Sequence, residues 1–413
     1  MRLEKNLNKL DIIDKFFIIW SFFIPITSFV LMPSVKGSLI SYILAFITPF
    51  IILFRVKNFF KKYIMQFLFF LFIWISFFCL SQLGNLIWHI NLTNLILVST
   101  ENIDYKLFRN SLYTQSLYLL PCIMTYLYCK NFYKPIWDKW ISYSGFLFVI
   151  IGLLKFFIYF FTNGSTDGDF LTNREYGEGG TNSLFQYINI LGLSLVRIQS
   201  LTGEPSMYSF IVLPYLIFFF YKNEYWKAFI TIISIILSFS STGFIGLFIY
   251  FLLYIIYNKK KNYKIVVVIF IPCIILYYLF FEYIGDILNF TFFDKMSSGS
   301  GIERSGNIYD NLLYWYDLDF WHMLVGIGFG YIRSTDLFTT LLVNIGAIGL
   351  FLWIIFTLKN FKIRLRKEND FYTNAILLLM FITSMISVPE FSFLSMWMFL
   401  GIIGSDFYKN RSE

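Results

Sequence analysis

The residues best equipped for chemistry are Arg197 and the run Gly203-Glu204-Pro205-Ser206, which leads straight into the apolar stretch Met207 to Tyr221. A permanent cation and a carboxylate at the edge of so apolar a segment need a reason. Proline suits the first turn of a helix, where its missing N–H does no harm. A helix opening at Pro205 presents free N–H groups and a positive dipole end beside Glu204. Such an end holds phosphate oxygens, and Arg197 adds a forked, permanently charged donor. The alternative is that Arg197 and Glu204 pair with each other and pin the chain, since ion pairs at the membrane can be structural.

A second group lies further on. Arg304 follows the Gly/Ser stretch Met296 to Gly301, and Tyr314, Trp315, Tyr316, Phe320 and Trp321 come just before His322. These rings serve equally as interfacial anchors or as a platform for sugar faces. His322, one of two histidines, titrates near neutral pH if unperturbed. Arg333 and Asp336 close the segment. Gly326-Ile327-Gly328-Phe329-Gly330 lacks the strand–helix setting of a dinucleotide fingerprint, so its glycines are read as allowing a tight turn or a close backbone approach. Asp167-Gly168-Asp169 and Asp317-Leu318-Asp319 have the spacing of paired metal-binding acids. That spacing arises easily by chance, and neither a metal site nor a cofactor is expected.

The elements that must position these residues are membrane helices. The chain has 413 residues, 58% hydrophobic, 22% aromatic and 14% charged, with a mean hydropathy of +0.66. A soluble chain of that length has too little interior for so much apolar surface. Apolar runs recur at about 16–32, 38–54, 64–81, 111–128, 141–161, 206–221, 228–240, 243–257, 265–282, 336–357, 372–388 and 391–406. The reading is one all-α membrane domain over 1–413 with about twelve crossings, the first run being a retained span rather than a signal peptide. With both termini in the cytoplasm, about three-quarters of the lysines and arginines fall on the inner side. The net charge of +8 is then a rim effect and gives no reason to invoke nucleic acid. Lys155 alone lies within a span, near enough its outer end to snorkel. The break Ser238 to Gly243 makes 228–257 two short helices with a hydroxyl-rich outer tip. Three long outer loops remain, about 82–110, 162–205 and 283–335. The second is expected to hold a re-entrant or interfacial helix over 183–201. The cysteines sit in or beside spans and read as packing residues.

In that order and on that side, the motifs carry a resemblance. Arg197-x6-Glu204-Pro205-Ser206, the Ser241 to Gly243 tip, Gly326-x-Gly328-x-Gly330 and Leu341-Leu342-x3-Gly346-x2-Gly349-Leu350 resemble the O-antigen polymerase (Wzy-type) and O-antigen ligase superfamily, over about 140–358. The resemblance implies a GT-C-like architecture in the bacterial inner membrane with large periplasmic loops. It implies a glycosyltransferase that moves a glycan from undecaprenyl diphosphate onto a hydroxyl of another lipid-linked repeat unit, with a chain-length regulator as a further partner. Arg197, Arg304 and Arg333 are the expected diphosphate ligands, and Glu204, Asp336 and His322 the candidate bases. Thr335-Asp336 stands where ligase-like members often carry His-Asn, which favours polymerase over ligase. A flippase for lipid-linked sugars is the third reading. It is disfavoured because no internal repeat is evident and the charges gather in outer loops.

Overall fold

The computed structural model describes residues 10–162, 172–173, 187–190, 193–257, 299–365, 368–406 and 408, apart from 36, 56, 94, 100 and 105. The expected span at 265–282 and the acidic pair Asp167/Asp169 lie outside the described residues.

Among the described residues the chain is overwhelmingly helical. The helices are α1 (Ile12–Phe23), α2 (Ile40–Arg55), α3 (Lys57–Ile87), α4 (Asn110–Phe132) and α5 (Asp138–Phe161), then α6 (Pro205–Tyr221), α7 (Tyr225–Ile236) and α8 (Ser241–Tyr257). After residue 298 come α9 (Gly299–Tyr316), α10 (Phe320–Val325), α11 (Leu337–Leu358), α12 (Glu368–Ser387) and α13 (Leu394–Ile403). Among the described residues, four segments are long and apolar enough to cross a membrane: Phe59–Ile87, Pro135–Phe161, Leu337–Leu358 and Glu368–Ser387. The apolar window of the first is only 6% buried in the protein. Side chains such as Phe69 and Phe72 therefore face outward, where lipid rather than water suits them.

Helix α6 is the centre of the bundle. It is apolar on every face and buried from Met207 to Phe219, as a helix surrounded by others must be. It packs against α5, α7, α8, α12 and α13. At one end of the bundle, basic residues are tied to acids: Lys134 Nζ lies 2.8 Å from Asp14, Lys222 pairs with Asp138, and Lys362 Nζ lies 2.6 Å from Asp370.

Two expectations meet different outcomes. The break at 238–243 does separate two helices, α7 and α8, joined by a turn in which Phe239 takes a positive φ of 44°. The helix expected over 183–201 is not formed. The described backbone there is an antiparallel hairpin, β1 (Tyr187–Ile190) with β2 (Leu193–Val196), in the register Tyr187 opposite Val196 and Ile190 opposite Leu193. The reason is local: Tyr-Ile-Asn-Ile alternates polar with apolar residues, and Ile188, Ile190 and Val196 are β-branched, so the two segments suit strands better than a helix.

The glycine motif works by close approach. Gly326 and Gly346 have φ of 77° and 67°, and a Cβ on Gly326 would lie 2.4 Å from the Asn344 carbonyl group. A Cβ on Gly346 would lie 2.3 Å from that of Leu324. Helix α11 breaks at Gly346. The carbonyls of Val343 and Asn344 accept instead from Ile327 N (3.0 Å) and Gly328 N (3.1 Å). The turn thus satisfies the backbone groups that the broken helix leaves open.

Candidate functional site

The segment 197–204 between β2 and α6 is tied down from three directions. Lys155 of α5 donates to Ser200 O at 3.1 Å, and Ser200 Oγ donates to Phe148 O at 2.6 Å. Leu201 O accepts from the backbone of Thr27 (3.0 Å) and Ser28 (3.1 Å). Arg197 Nε donates to Ser238 O at 3.1 Å and one of its Nη atoms to Phe239 O at 2.7 Å. These carbonyls close the C-terminal end of α7, where a cation is favoured. The hydroxyl-rich tip expected from sequence is therefore the seat of Arg197.

Glu204 is the N-cap of α6, with Pro205 at the first helical position. Its side chain caps no backbone N–H and instead accepts from Ser206 Oγ at 3.0 Å. Arg304, on α9, is close enough for its charge to act on Arg197. Burial pushes the Arg197 guanidinium down to about 10, with Glu204 opposing the shift and the like charge of Arg304 adding to it. Arg197 stays a cation at neutral pH. Arg197 and Glu204, before α6, and Arg304, on α9 about a hundred residues later, thus act on one another electrostatically. The segments meeting there also carry buried polar atoms with no hydrogen-bond partner among the described residues: both atoms of the Gln199 amide, Ser28 Oγ and Ser240 Oγ. Buried groups of this kind are costly unless something else satisfies them.

Two candidate bases have other tasks. Asp336 caps α11: Oδ1 accepts from Thr339 N at 2.7 Å, and Oδ2 accepts from Ser334 Oγ (3.0 Å) and Thr339 Oγ1 (2.6 Å). It is 2% exposed, and both oxygens are spent within its own turn. His322 is fully buried. Its Nδ1 pairs with Asp319 Oδ2, and its Nε2 lies 2.9 Å from Asn85 Oδ1. Asn85 Nδ2 donates to Ile327 O (2.8 Å) and Lys106 O (3.1 Å), which fixes the amide so that Oδ1 faces the ring. Both ring nitrogens are thereby engaged inside the protein, and neither is open to a substrate hydroxyl. Burial works to raise the Asp319 carboxyl, but hydrogen bonds from the His322 ring and backbone outweigh it and hold it below its ordinary value. His322 is a clamp joining α3 to α10. Arg333 pairs with Glu390 beside a small cavity of about 60 Å³ also lined by Tyr42, Gln115 and Phe329.

Sequence reasoning missed Asn85 and Gln199, single amides with no pattern around them. It also missed a large cleft of about 780 Å³ between the 88–95 segment and α9, with Trp88 and His89 on one wall and Asp310, Tyr314 and Asp317 on the other. The clue was in the sequence: Asp310, Leu313, Tyr314 and Asp317 recur at i, i+3, i+4 and i+7, one face of a helix. Among the described residues no group of His, Cys, Asp and Glu side chains is placed to hold a metal. Cys122 and Cys129 are buried and free, while Cys79 is exposed and free. No family model, curated protein or solved structure matches the chain.

Proposed function

We propose that this protein is a polymerase of lipid-linked oligosaccharide repeat units, working on the periplasmic face of the bacterial inner membrane. The observation that supports it most is the buried Arg197 in the segment that leads through Glu204 into the N-terminus of α6, with the charge of Arg304 acting on the same guanidinium. A diphosphate leaving group needs cations and N–H donors, and this corner offers both. Outside the cytoplasm there is no supply of nucleotide sugar, so the donor must carry its own activated phosphate. Undecaprenyl diphosphate does so. Arg304, only partly buried, is the more accessible ligand, and Arg197 is the fixed one.

In the proposed step, a hydroxyl of the acceptor glycan attacks C1 of the donor sugar. The C1–O bond to the diphosphate breaks, and the electron pair leaves with that oxygen, where the arginines and the helix end stabilise the charge. Glu204 takes the proton of the attacking hydroxyl. It is preferred over Asp336 and His322 because their acceptor atoms are committed elsewhere. A ligase would use the same chemistry with a different acceptor, and a flippase would need none of it. Deleting the gene separates the three. A polymerase mutant leaves lipopolysaccharide capped by a single repeat unit, and a ligase mutant accumulates unattached lipid-linked polymer. A flippase mutant displays no repeat units at all.

A further inference from the structure

The cleft beside α9 has a composition that the diphosphate chemistry does not call for. Along one stripe of the helix it presents Asp310, Tyr314 and Asp317, spaced over about 10 Å of helix axis. Both acids are exposed, and neither forms an ion pair among the described residues. Tyr314 sits between them. Its hydroxyl is buried without a hydrogen-bond partner among the described residues, as is Asn307 Nδ2 two turns earlier. Burial, with Asp319 adding to it, pushes the Tyr314 phenol above its ordinary value, so it remains a donor. Across the cleft Trp88 is 40% exposed and stacks on Trp321 at 5.9 Å between ring centroids, which holds its indole in place. Nearby, His322 is paired with Asp319, and Lys106 Nζ lies 2.7 Å from His89 Nε2.

We infer that this cleft is a binding site for an uncharged glycan segment, with Asp310 and Asp317 accepting from sugar hydroxyls and Trp88 and Tyr314 covering ring faces. An aromatic face with flanking carboxylates matches a pyranose, which has an apolar C–H face and a hydroxyl rim. The same carboxylates repel uronic acids and other anionic sugars. The inference rests on the polymerase reading only for its name: there the occupant is the acceptor chain. Arg304 lies about 9 Å before Asp310 along the helix, so the cleft and the diphosphate corner are neighbours on one rigid element.

The test is binding, not turnover. The purified protein in nanodiscs is titrated with neutral oligosaccharides of hexoses and N-acetylhexosamines, and with matched uronic acid forms, by saturation-transfer NMR. Binding of neutral members and about tenfold weaker binding of their uronic counterparts is expected. The double variant Asp310→Asn/Asp317→Asn should lose about tenfold in affinity for the neutral members while melting like the wild type, because hydroxyl bonds to charged acceptors are the stronger ones. Asp317→Lys should reduce the discrimination against uronic forms. Absence of any binding, equal binding of uronic forms, or unchanged affinity in the double variant overturns the inference. If glycan binds as expected but lipid-linked units are not elongated, the cleft stands and the polymerase reading falls. If elongation proceeds and the double variant leaves acceptor KM unchanged, the reverse holds.

Discussion

Replacing Arg197 with alanine is the obvious test of a diphosphate ligand, and the structure predicts that it will also unfold part of the protein. Two N–H groups of a buried guanidinium hold Ser238 O and Phe239 O at the end of α7. A hydrogen bond with a charged partner is worth about 1.5–3 kcal/mol, so Arg197→Ala should cost about 3–6 kcal/mol and take the guanidinium donors from two carbonyls at the end of α7. Lysine keeps the charge and can reach one carbonyl, so Arg197→Lys should cost about half as much. The assay is thermal unfolding of the purified protein in detergent, alongside the polysaccharide ladder of a strain carrying each variant. The expected order of stability is wild type, then Lys, then Ala. An Arg197→Ala protein that melts like the wild type would refute the anchoring role. A Lys variant that folds well but makes no ladder would show that the forked contact itself matters.

Asp336→Ala should lose about 0.5–2 kcal/mol of helix capping, whereas Asp336→Asn, which keeps an acceptor for Thr339 N, should retain most activity; a folded but inactive Asn variant would restore Asp336 as a base. Gly346→Ala places a methyl group against the Leu324 backbone at a positive φ, so little monodisperse protein should be recovered, as judged by gel filtration. Asp319 is held below its ordinary value, so its contribution is present above pH about 4 and is lost as the pH falls through the depressed value. Melting curves of the wild type should fall more steeply in acid than those of Asp319→Asn, and parallel curves would contradict the clamp.

Much of this arrangement was legible in the sequence because the responsible physics is local. Hydropathy picked out helices long and apolar enough to cross a membrane, Pro205 marked the start of α6, and Ser238 to Gly243 marked the turn between α7 and α8. The glycines at 326–330 announced a tight turn or close approach, though not that Gly326 would meet the backbone of Asn344 and Gly346 that of Leu324. The hairpin at 187–196 was lost because an apolar run of that length was judged by hydropathy rather than by its alternation. The roles of Asp336 and His322 were not legible. Whether a carboxylate or imidazole is spent depends on partners such as Asn85, which lies 237 residues from His322. The cleft was hidden for a similar reason: one wall is a readable helical stripe, but the other comes from a distant loop.

The most direct measurement is elongation of a defined synthetic repeat unit on undecaprenyl diphosphate by the purified protein in liposomes, comparing wild type with Arg304→Ala. No side-chain hydrogen bond of Arg304 is seen among the described residues, so this variant should melt like the wild type. The account predicts a ladder of products from the wild type and only starting material from the variant. A wild type that makes no ladder, or an Arg304→Ala protein that makes a normal one, would contradict it.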